Sequence, residues 1–201
     1  MRKAIAVYCG SSTDLSEPYH DAANIIGKGI AANKQTLVYG GGRIGLMGEV
    51  ASSAAASGAQ VVGVITHKLV KHEQANESCD ELIVVDTMQE RRTIMMERSD
   101  AFLVLPGGIG TYEEFFEVLV GRQLGDHQKQ IGIVNIQGYF DPLMDLLEHG
   151  IQQKFIRPAL RSLLFVDPCP TKVLKYVSSN EGVTLSPEDI LPMHSKENGD
   201  V

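Results

Sequence analysis

The stretch Leu105-Pro-Gly-Gly-Ile-Gly-Thr-Tyr-Glu-Glu114 joins an apolar run to a segment whose apolar residues recur at helical spacing. The run 101–105 has the length and composition of a buried parallel strand. The segment 111–124 has the periodicity of an amphipathic helix. A strand, a glycine-rich turn and a helix form the repeating unit of an open parallel sheet, so this stretch predicts an α/β fold.

The glycines of this turn predict an anion site. Gly107, Gly108 and Gly110 leave backbone N–H groups uncovered where a helix N-terminus concentrates positive potential. We expect a phosphate to be held by the main-chain donors of these glycines and of Thr111. Thr111 is predicted to cap the helix, with Glu114 completing a capping box. A tight turn without a ligand explains the glycines about equally well.

Short β-type runs alternate with helix-like segments along the chain, which is typical of a parallel sheet covered by helices on both faces. A polar stretch, 67–78, is predicted to be a loop, and a single domain is expected over residues 1–178. The polar, acidic end, 179–201, is predicted to be a flexible tail. The predicted strands are 4–8, 36–39, 61–65, 82–85, 101–105 and 131–136, and the predicted helices are 19–33, 45–57, 88–99, 111–124, 141–150 and 170–178.

Net charge, the first apolar run and the cysteine content restrict the partners and the cellular compartment expected for this protein. The net charge of −7, without a Lys/Arg cluster, argues against nucleic acid or an anionic membrane as a partner. The first apolar run spans five residues, too few for a signal peptide. Cys9, Cys79 and Cys169 are odd in number and far apart, which favours reduced thiols and a cytoplasmic location.

The same turn chemistry follows three predicted strands, at 9–12, 40–45 and 106–110. The carboxyl ends of parallel strands meet at one edge of the sheet, so the three turns are expected to surround one ligand site. None of them carries the lysine of a P-loop, and no acidic residue closes the second strand to hold a dinucleotide ribose. A mononucleotide is therefore the better ligand. The histidines are scattered and no lysine has a Schiff-base setting, so neither a metal nor a cofactor is predicted.

Three blocks resemble the LOG family, the cytokinin riboside 5′-monophosphate phosphoribohydrolases, whose members have often been labelled lysine decarboxylases. They are Tyr39-Gly-Gly-Gly-Arg-Ile-Gly-Leu-Met-Gly48, Met88-Gln-Glu-Arg-Arg92 and Pro106-Gly-Gly-Ile-Gly-Thr-Tyr-Glu-Glu114. The resemblance implies a Rossmann-like fold, a homodimer or larger homo-oligomer, and hydrolysis of a nucleoside 5′-monophosphate to free base and ribose 5-phosphate. It also implies that Arg91 and Glu114 are the catalytic pair. Arg92 stands where many members have lysine.

The positive charge that develops during such a reaction is consistent with Arg91 and Glu114 as the catalytic pair. Departure of the base builds positive charge at the anomeric carbon, which a carboxylate at Glu114 would stabilise while it takes a proton from water. Arg91 cannot act as a base at neutral pH, but it can hold the carboxylate or grip substrate oxygens. A helix cap and a solvated helix charge are the alternatives for these two residues. The other predicted substrate-binding residues are Ser12, Gly41, Met88, Arg92 and Arg98, of which Arg98 could instead pair with Glu97 or Asp100.

Two classes of function remain open from the residues. The first is a nucleoside-monophosphate glycosidase acting on adenosine 5′-monophosphates, with or without an N6 substituent. The second is a non-catalytic nucleotide or cofactor carrier, or a sensor of AMP, which would need the glycine turns without Arg91 and Glu114. The presence of both residues favours the enzyme.

Overall fold

The structure, a computed structural model that describes residues 3–179, is built on one parallel sheet of seven strands. The strands lie in the order β4-β3-β2-β1-β5-β6-β7, and every neighbouring pair is parallel. The strands are β1 Ala4–Tyr8, β2 Thr36–Tyr39, β3 Gln60–Thr66, β4 Glu81–Val85, β5 Ala101–Val104, β6 Gln130–Val134 and β7 Leu164–Asp167. The helices are α1 Glu17–Ala32, α2 Gly45–Ala56, α3 Leu69–His72, α4 Met88–Glu97, α5 Ile109–Leu124, α6 Asp141–Gln152 and α7 Pro170–Ser178, and 3₁₀ turns span Ile136–Gly138 and Pro158–Leu163.

Helices cover both faces of the sheet, which confirms the predicted fold class. On one face α1, α2 and α7 bury residues such as Ile26, Val50 and Val173 against the strands. On the other face α4 and α5 bury Met95 and Phe115. Central strands buried on both sides have no polar face, so they read in the sequence as continuous apolar runs.

Six strands fall where the sequence predicts them, and the seventh was missed. The strand β7, Leu164–Asp167, is an edge strand whose residues are only partly buried. The apolar run Leu163-Leu-Phe-Val166 is as long as the runs of some recognised strands, so it could have indicated this strand. The predicted loop 67–78 contains one short helix, α3. Of the predicted tail, 179–201, only Ser179 lies within the described residues.

The strands β2, β3 and β4 follow one another on one side of β1, and β5, β6 and β7 follow one another on its other side. The strand β1 pairs with β2 on one side and with β5 on the other, so the turns that follow β1 and β5 leave the sheet side by side. The N–H of Gly10 donates to the carbonyl of Pro106 at 3.0 Å and joins the two turns. A crevice at such a switch point is where open α/β sheets bind ligands. Among the helices of residues 3–179, none is both long and apolar enough to cross a bilayer.

Candidate active site

A cavity of about 270 Å³ lies at the carboxyl edge of the sheet, over the switch point. Residues of all three glycine-containing turns line it, as expected for turns that leave neighbouring parallel strands. The lining consists of Val7, Cys9, Gly10, Ser11, Gly40, Met47, Glu73, Met88, Arg91, Gly108, Ile109, Gly110, Thr111 and Glu114. Two carboxylates and one guanidinium thus share a small space with the N-terminus of α5.

The helix α5 begins without a side-chain cap. Its N-cap is Gly108, in an extended conformation, and no side chain accepts a hydrogen bond from the first turn in the capping position. The prediction that Thr111 caps the helix was wrong. Thr111 is the third residue of the helix and is buried, so the helix starts two residues earlier than its apolar periodicity indicated. The first N–H groups of a helix have no partner within it, so they remain free for a ligand.

The structure gives different explanations for glycine at positions 107, 108 and 110 of this turn. A side chain at Gly107 would overlap the Thr111 hydroxyl, and its Cβ would lie 2.8 Å from the Gly10 nitrogen, so packing requires glycine there. A Cβ at Gly108 or Gly110 would meet nothing within 4 Å, and neither residue has a positive φ. Neither packing nor backbone conformation explains glycine at these two positions, whereas a ligand that approaches the backbone closely would.

Arg91 reaches the cavity from the second turn of α4. The strands β4 and β5, which precede α4 and α5, are not neighbours, since β3, β2 and β1 lie between them. The helix α4 crosses back from the edge of the sheet toward β5, which carries Arg91 over the end of β3. There Nε donates to the Val64 carbonyl and Nη2 donates to the Gly40 carbonyl, both at 3.0 Å. These bonds fix a buried guanidinium beside the cavity.

Glu114 is a buried carboxylate one turn into α5. Burial raises its pKa to about 7, the positive charge of Arg91 opposes that rise, and the negative charge of Glu73 adds to it. The alternative of a simple helix cap does not describe this side chain, because the only capping box that involves α4 or α5 is the one formed by Thr87 and Glu90 at the start of α4. Glu113, the adjacent residue, lies about 100° away around the helix and is exposed.

Glu73 is a cavity residue that the sequence analysis missed. It follows α3, and its Oε2 lies 3.7 Å from Nη2 of Arg91. Within residues 3–179 this buried oxygen accepts no hydrogen bond. Burial raises the pKa of Glu73, and Arg91 opposes that rise. A polar loop gives no periodic signal, and the only hint in the sequence was an acid in the loop that leaves β3 at the carboxyl edge.

The structure brings some of the predicted substrate-binding residues to the cavity and leaves others outside its lining. Met88, at the start of α4, lines the cavity. Ser12 does not, and the neighbouring Ser11 does so instead. Gly41 has a φ of 75° and lies under Ile65 of β3, so it shapes the turn after β2.

Arg92 and Arg98 point to other partners. Arg92 bridges from α4 to α5, where it contacts Glu113 and Glu117 at 2.8 Å each. Arg98 forms two hydrogen bonds of 3.0 Å with Glu81 of β4. The partner of Arg98 is therefore neither Glu97 nor Asp100. Arg92 instead ties together the two helices that carry Arg91 and Glu114.

Neither a lysine nor a histidine lines the cavity. Among the described residues, no group of three or more His, Cys, Asp or Glu side chains has an arrangement that could hold a metal ion. Cys9 is buried under the cavity, and burial holds the pKa of its thiol well above the usual range, so it stays protonated. The chemistry on offer is therefore that of carboxylates, a guanidinium and backbone amides.

Residues 47–177 match a family model described as "Possible lysine decarboxylase". A cytokinin riboside 5′-monophosphate phosphoribohydrolase of Arabidopsis thaliana is 37% identical over 96% of this chain and 86% of its own length. An enzyme of the same name from Rhodococcoides fascians is 44% identical over 82% of this chain and 83% of its own.

A solved structure has a fold similar to that of this chain. The molybdenum cofactor carrier protein of Chlamydomonas reinhardtii has a TM-score of 0.68 and 21% identity, over 89% of this chain and 97% of that one. At this identity the likeness concerns the fold alone. The sequence relatives lie well above that level and match the chain over most of its length. The chain therefore belongs to the LOG family of phosphoribohydrolases.

Proposed function

We propose that this protein hydrolyses the N-glycosidic bond of adenosine 5′-monophosphates, including those substituted at N6, and releases the free base and ribose 5-phosphate. The observation that carries the proposal is one cavity shared by a buried carboxylate, Glu114, and the uncapped N-terminus of α5. Relatives named for this activity on cytokinin ribosides support the choice of substrate. A nucleotide needs an anion site and a charge-stabilising site side by side, and this cavity offers both.

The 5′-phosphate binds at the start of α5 in this proposal. Gly108 and Gly110 leave room for its oxygens to approach the backbone, and the helix dipole favours a negative charge there. Ser11 lies across the same cavity and can add a hydroxyl donor. Since no lysine lines the cavity, the backbone supplies most of the hydrogen bonds to the phosphate.

Glu114 stands about one helical turn from that phosphate, where C1′ of the ribose would lie. In its ionised form it stabilises the positive charge that develops at C1′ as the base departs. It also accepts a proton from the attacking water, whose oxygen bonds to C1′, and that proton passes on to the departing base nitrogen. A pKa of about 7 allows the carboxyl group both to take and to return a proton near neutral pH.

Arg91 supplies a fixed positive charge. Because Nε and Nη2 are bound to the carbonyls of Val64 and Gly40, the guanidinium cannot follow Glu114 if that side chain moves. It keeps part of the Glu114 population ionised despite burial. Nη1, whose only partner in the described residues is the weak acceptor Sδ of Met88 at 3.9 Å, is available to a ribose or phosphate oxygen.

A homodimer completes the site in this proposal. A cavity of about 270 Å³ is small for a whole nucleotide, since sites for small molecules start at roughly 300 Å³. The base would lie at the mouth, near the exposed Ile109, where a partner subunit can cover it. On α5 the exposed apolar residues Val120 and Leu124 continue the same helical face and offer a contact surface. We also retain the cytoplasm as the proposed location, because all three cysteines are free thiols.

The carrier alternative predicts binding without turnover. A carrier has no need for one buried and one partly buried carboxylate beside a buried guanidinium, because desolvated charges cost stability. The test is to incubate the purified protein with AMP and with isopentenyladenosine 5′-monophosphate, and to measure base and ribose 5-phosphate separately. Equal amounts of both products support the hydrolase. Binding of AMP without product supports the carrier, and comparable turnover of adenosine and AMP contradicts the phosphate site.

A further inference from the structure

Tyr139 contacts the glycine turn from outside the cavity. It follows the 3₁₀ turn after β6, and its hydroxyl donates to the carbonyl of Gly107 at 2.5 Å. This is the contact by which a segment 32 residues further along the chain reaches the start of α5. Tyr139 is absent from the cavity lining, so it cannot be assigned a direct contact with the ligand.

The Tyr139 ring is held in place on several sides. It packs edge-on against Phe140 with ring centroids 4.9 Å apart, and against Tyr19 of α1 at 6.1 Å. The hydroxyl of Tyr112 donates to the hydroxyl of Tyr139 at 3.2 Å. The Tyr139 hydroxyl thus accepts one hydrogen bond, from Tyr112, and donates one, to the carbonyl of Gly107. Its pKa is raised to about 12, chiefly by burial, so the donor proton is retained at all working pH values.

Because a peptide unit is planar, the hydrogen bond to the Gly107 carbonyl also fixes the orientation of the next N–H group, which belongs to a cavity residue. The Gly107 carbonyl and the Gly108 N–H belong to one planar unit, and in a trans peptide they point in opposite directions. No peptide bond among the described residues is cis. A hydrogen bond that fixes the carbonyl of Gly107 therefore fixes the direction of the N–H of Gly108, which lines the cavity. Two successive glycines need such a restraint because they have no side chains to limit rotation.

We propose that Tyr139 is a positioning residue that aims the Gly108 N–H at the 5′-phosphate of the substrate. The inference rests on the proposed function, because it takes the start of α5 as the phosphate site. The Tyr139 hydroxyl acts through the Gly107 peptide and touches no reacting atom. Its contribution therefore falls on the affinity for the phosphate group, which is bound equally in the ground state and in the transition state.

The test compares Tyr139→Phe with Tyr112→Phe. Tyr139→Phe keeps the ring packing and removes both the donor to Gly107 and the acceptor for Tyr112, whereas Tyr112→Phe removes only the bond between the two tyrosines. We expect the KM for AMP and the Kd for ribose 5-phosphate, measured by calorimetry, to rise about three- to tenfold, the range for loss of one hydrogen bond. We expect kcat to change less than about twofold, because a binding interaction that is uniform along the reaction affects KM alone. Tyr112→Phe leaves the bond to Gly107 intact and should raise either constant by less than half as much.

The outcomes separate this inference from the proposed function. Unchanged KM and Kd in Tyr139→Phe, or a fall in kcat at constant KM, overturns the positioning role even if the wild-type protein is an active hydrolase. A merely structural role would lower the melting temperature without raising the Kd for ribose 5-phosphate. If the wild-type protein binds AMP and ribose 5-phosphate but cleaves nothing, the hydrolase proposal fails and the Kd comparison still decides on Tyr139. A protein that neither binds nor cleaves AMP overturns both.

Discussion

Nη2 of Arg91 lies 3.7 Å from Oε2 of Glu73, although one residue comes from a helix and the other from a polar loop. The same nitrogen donates to the carbonyl of Gly40, so the guanidinium is fixed while it faces the carboxylate. The cavity therefore holds two acids, the buried Glu114 and the partly buried Glu73, and a single positively charged side chain, Arg91. Burial raises the pKa of both acids and Arg91 opposes both rises, while the negative charge of Glu73 adds to the rise at Glu114.

Glu73→Gln should change the pH dependence of the reaction. The charge of Glu73 raises the pKa of Glu114, so its removal lowers that pKa and extends the ionised range of Glu114 to more acidic pH. We expect the acid limb of kcat/KM to move down by about one pH unit, the order of magnitude for one nearby charge. Glu77→Gln, an exposed acid in the same loop, is the matched control and should leave the profile in place. A Glu73→Gln profile identical to wild type would remove Glu73 from the electrostatics of the site.

Glu114→Gln should abolish most of the catalytic rate. Glutamine preserves the shape of the side chain but cannot take a proton or oppose the charge at C1′. We expect kcat to fall by about a hundredfold or more. Wild-type kcat/KM should rise with pH and level off above about 7, where Glu114 is ionised, and the variant should lack this limb. Glu97→Gln, an exposed acid at the far end of α4, is the control for loss of a charge. A rate within tenfold of wild type in Glu114→Gln contradicts the mechanism.

The same substitution should stabilise the protein at alkaline pH. In the folded state the Glu114 pKa is about 7, against 4.5 as its ordinary value, so the native protein retains a proton that the unfolded chain has lost. The stability of the wild type therefore falls as pH rises from about 4.5 to 7, and stays lower above that range. Glu114→Gln should unfold with a free energy higher by up to on the order of 3 kcal/mol at pH 8, and with little difference below pH 4.5. Urea unfolding at both pH values measures it, and equal curves at pH 8 would show that burial of the charge costs little.

Gly108→Ala should weaken phosphate binding with little effect on the fold. The new methyl group meets no protein atom within 4 Å, and the φ of −91° is open to alanine. Its cost to stability should stay within about 1 kcal/mol, the scale of an N-cap change. We expect the KM for AMP to rise tenfold or more, because the methyl group enters the space of the ligand. Gly107→Ala is the contrasting variant and should lower the melting temperature, since its Cβ overlaps Thr111. If the two variants behave alike in both assays, the division of the glycines is wrong.

Assembly should depend on the outer face of α5. Val120 and Leu124 are 48% and 60% exposed, which is unusual for apolar residues that point to solvent on adjacent turns. Aspartate at both positions should convert a dimer to a monomer in sedimentation velocity and lower kcat/KM about tenfold or more. Leu146→Asp is the control, because Leu146 is similarly exposed, at 61%, but lies on a different helix, α6. Full activity of a monomeric wild-type protein would contradict a shared site.

The sequence predicts the sheet well because burial on both faces leaves a direct mark on composition. Runs such as 101–104 and 4–8 are apolar throughout, since these strands have no solvent-facing side. The edge strands β4 and β7 are only partly buried, yet both contain apolar runs; β4 was predicted, whereas the shorter β7, which ends in Asp167, was missed. The start of α5 was misplaced because the first residues of the helix, Ile109 and Gly110, are exposed and do not belong to its buried apolar stripe.

The site was predicted in part for a similar reason. Arg91 and Glu114 lie in recognisable blocks, and the prediction that they face one crevice needed only the carboxyl edge of the sheet. The two residues meet although β4 and β5 are not neighbours, because α4 crosses back over β3. Glu73 and Tyr139 act through contacts with residues far away in the chain, and no local pattern records such contacts.

Gly40 places a constraint on how this chain can vary over evolutionary time. Any side chain at position 40 would overlap the Arg91 guanidinium, whose hydrogen bond to the Gly40 carbonyl also requires a close approach. A mutation at position 40 therefore displaces the guanidinium of Arg91 from the cavity wall even though Arg91 itself is unchanged. A descendant that keeps Arg91 in this place must therefore also keep glycine at position 40.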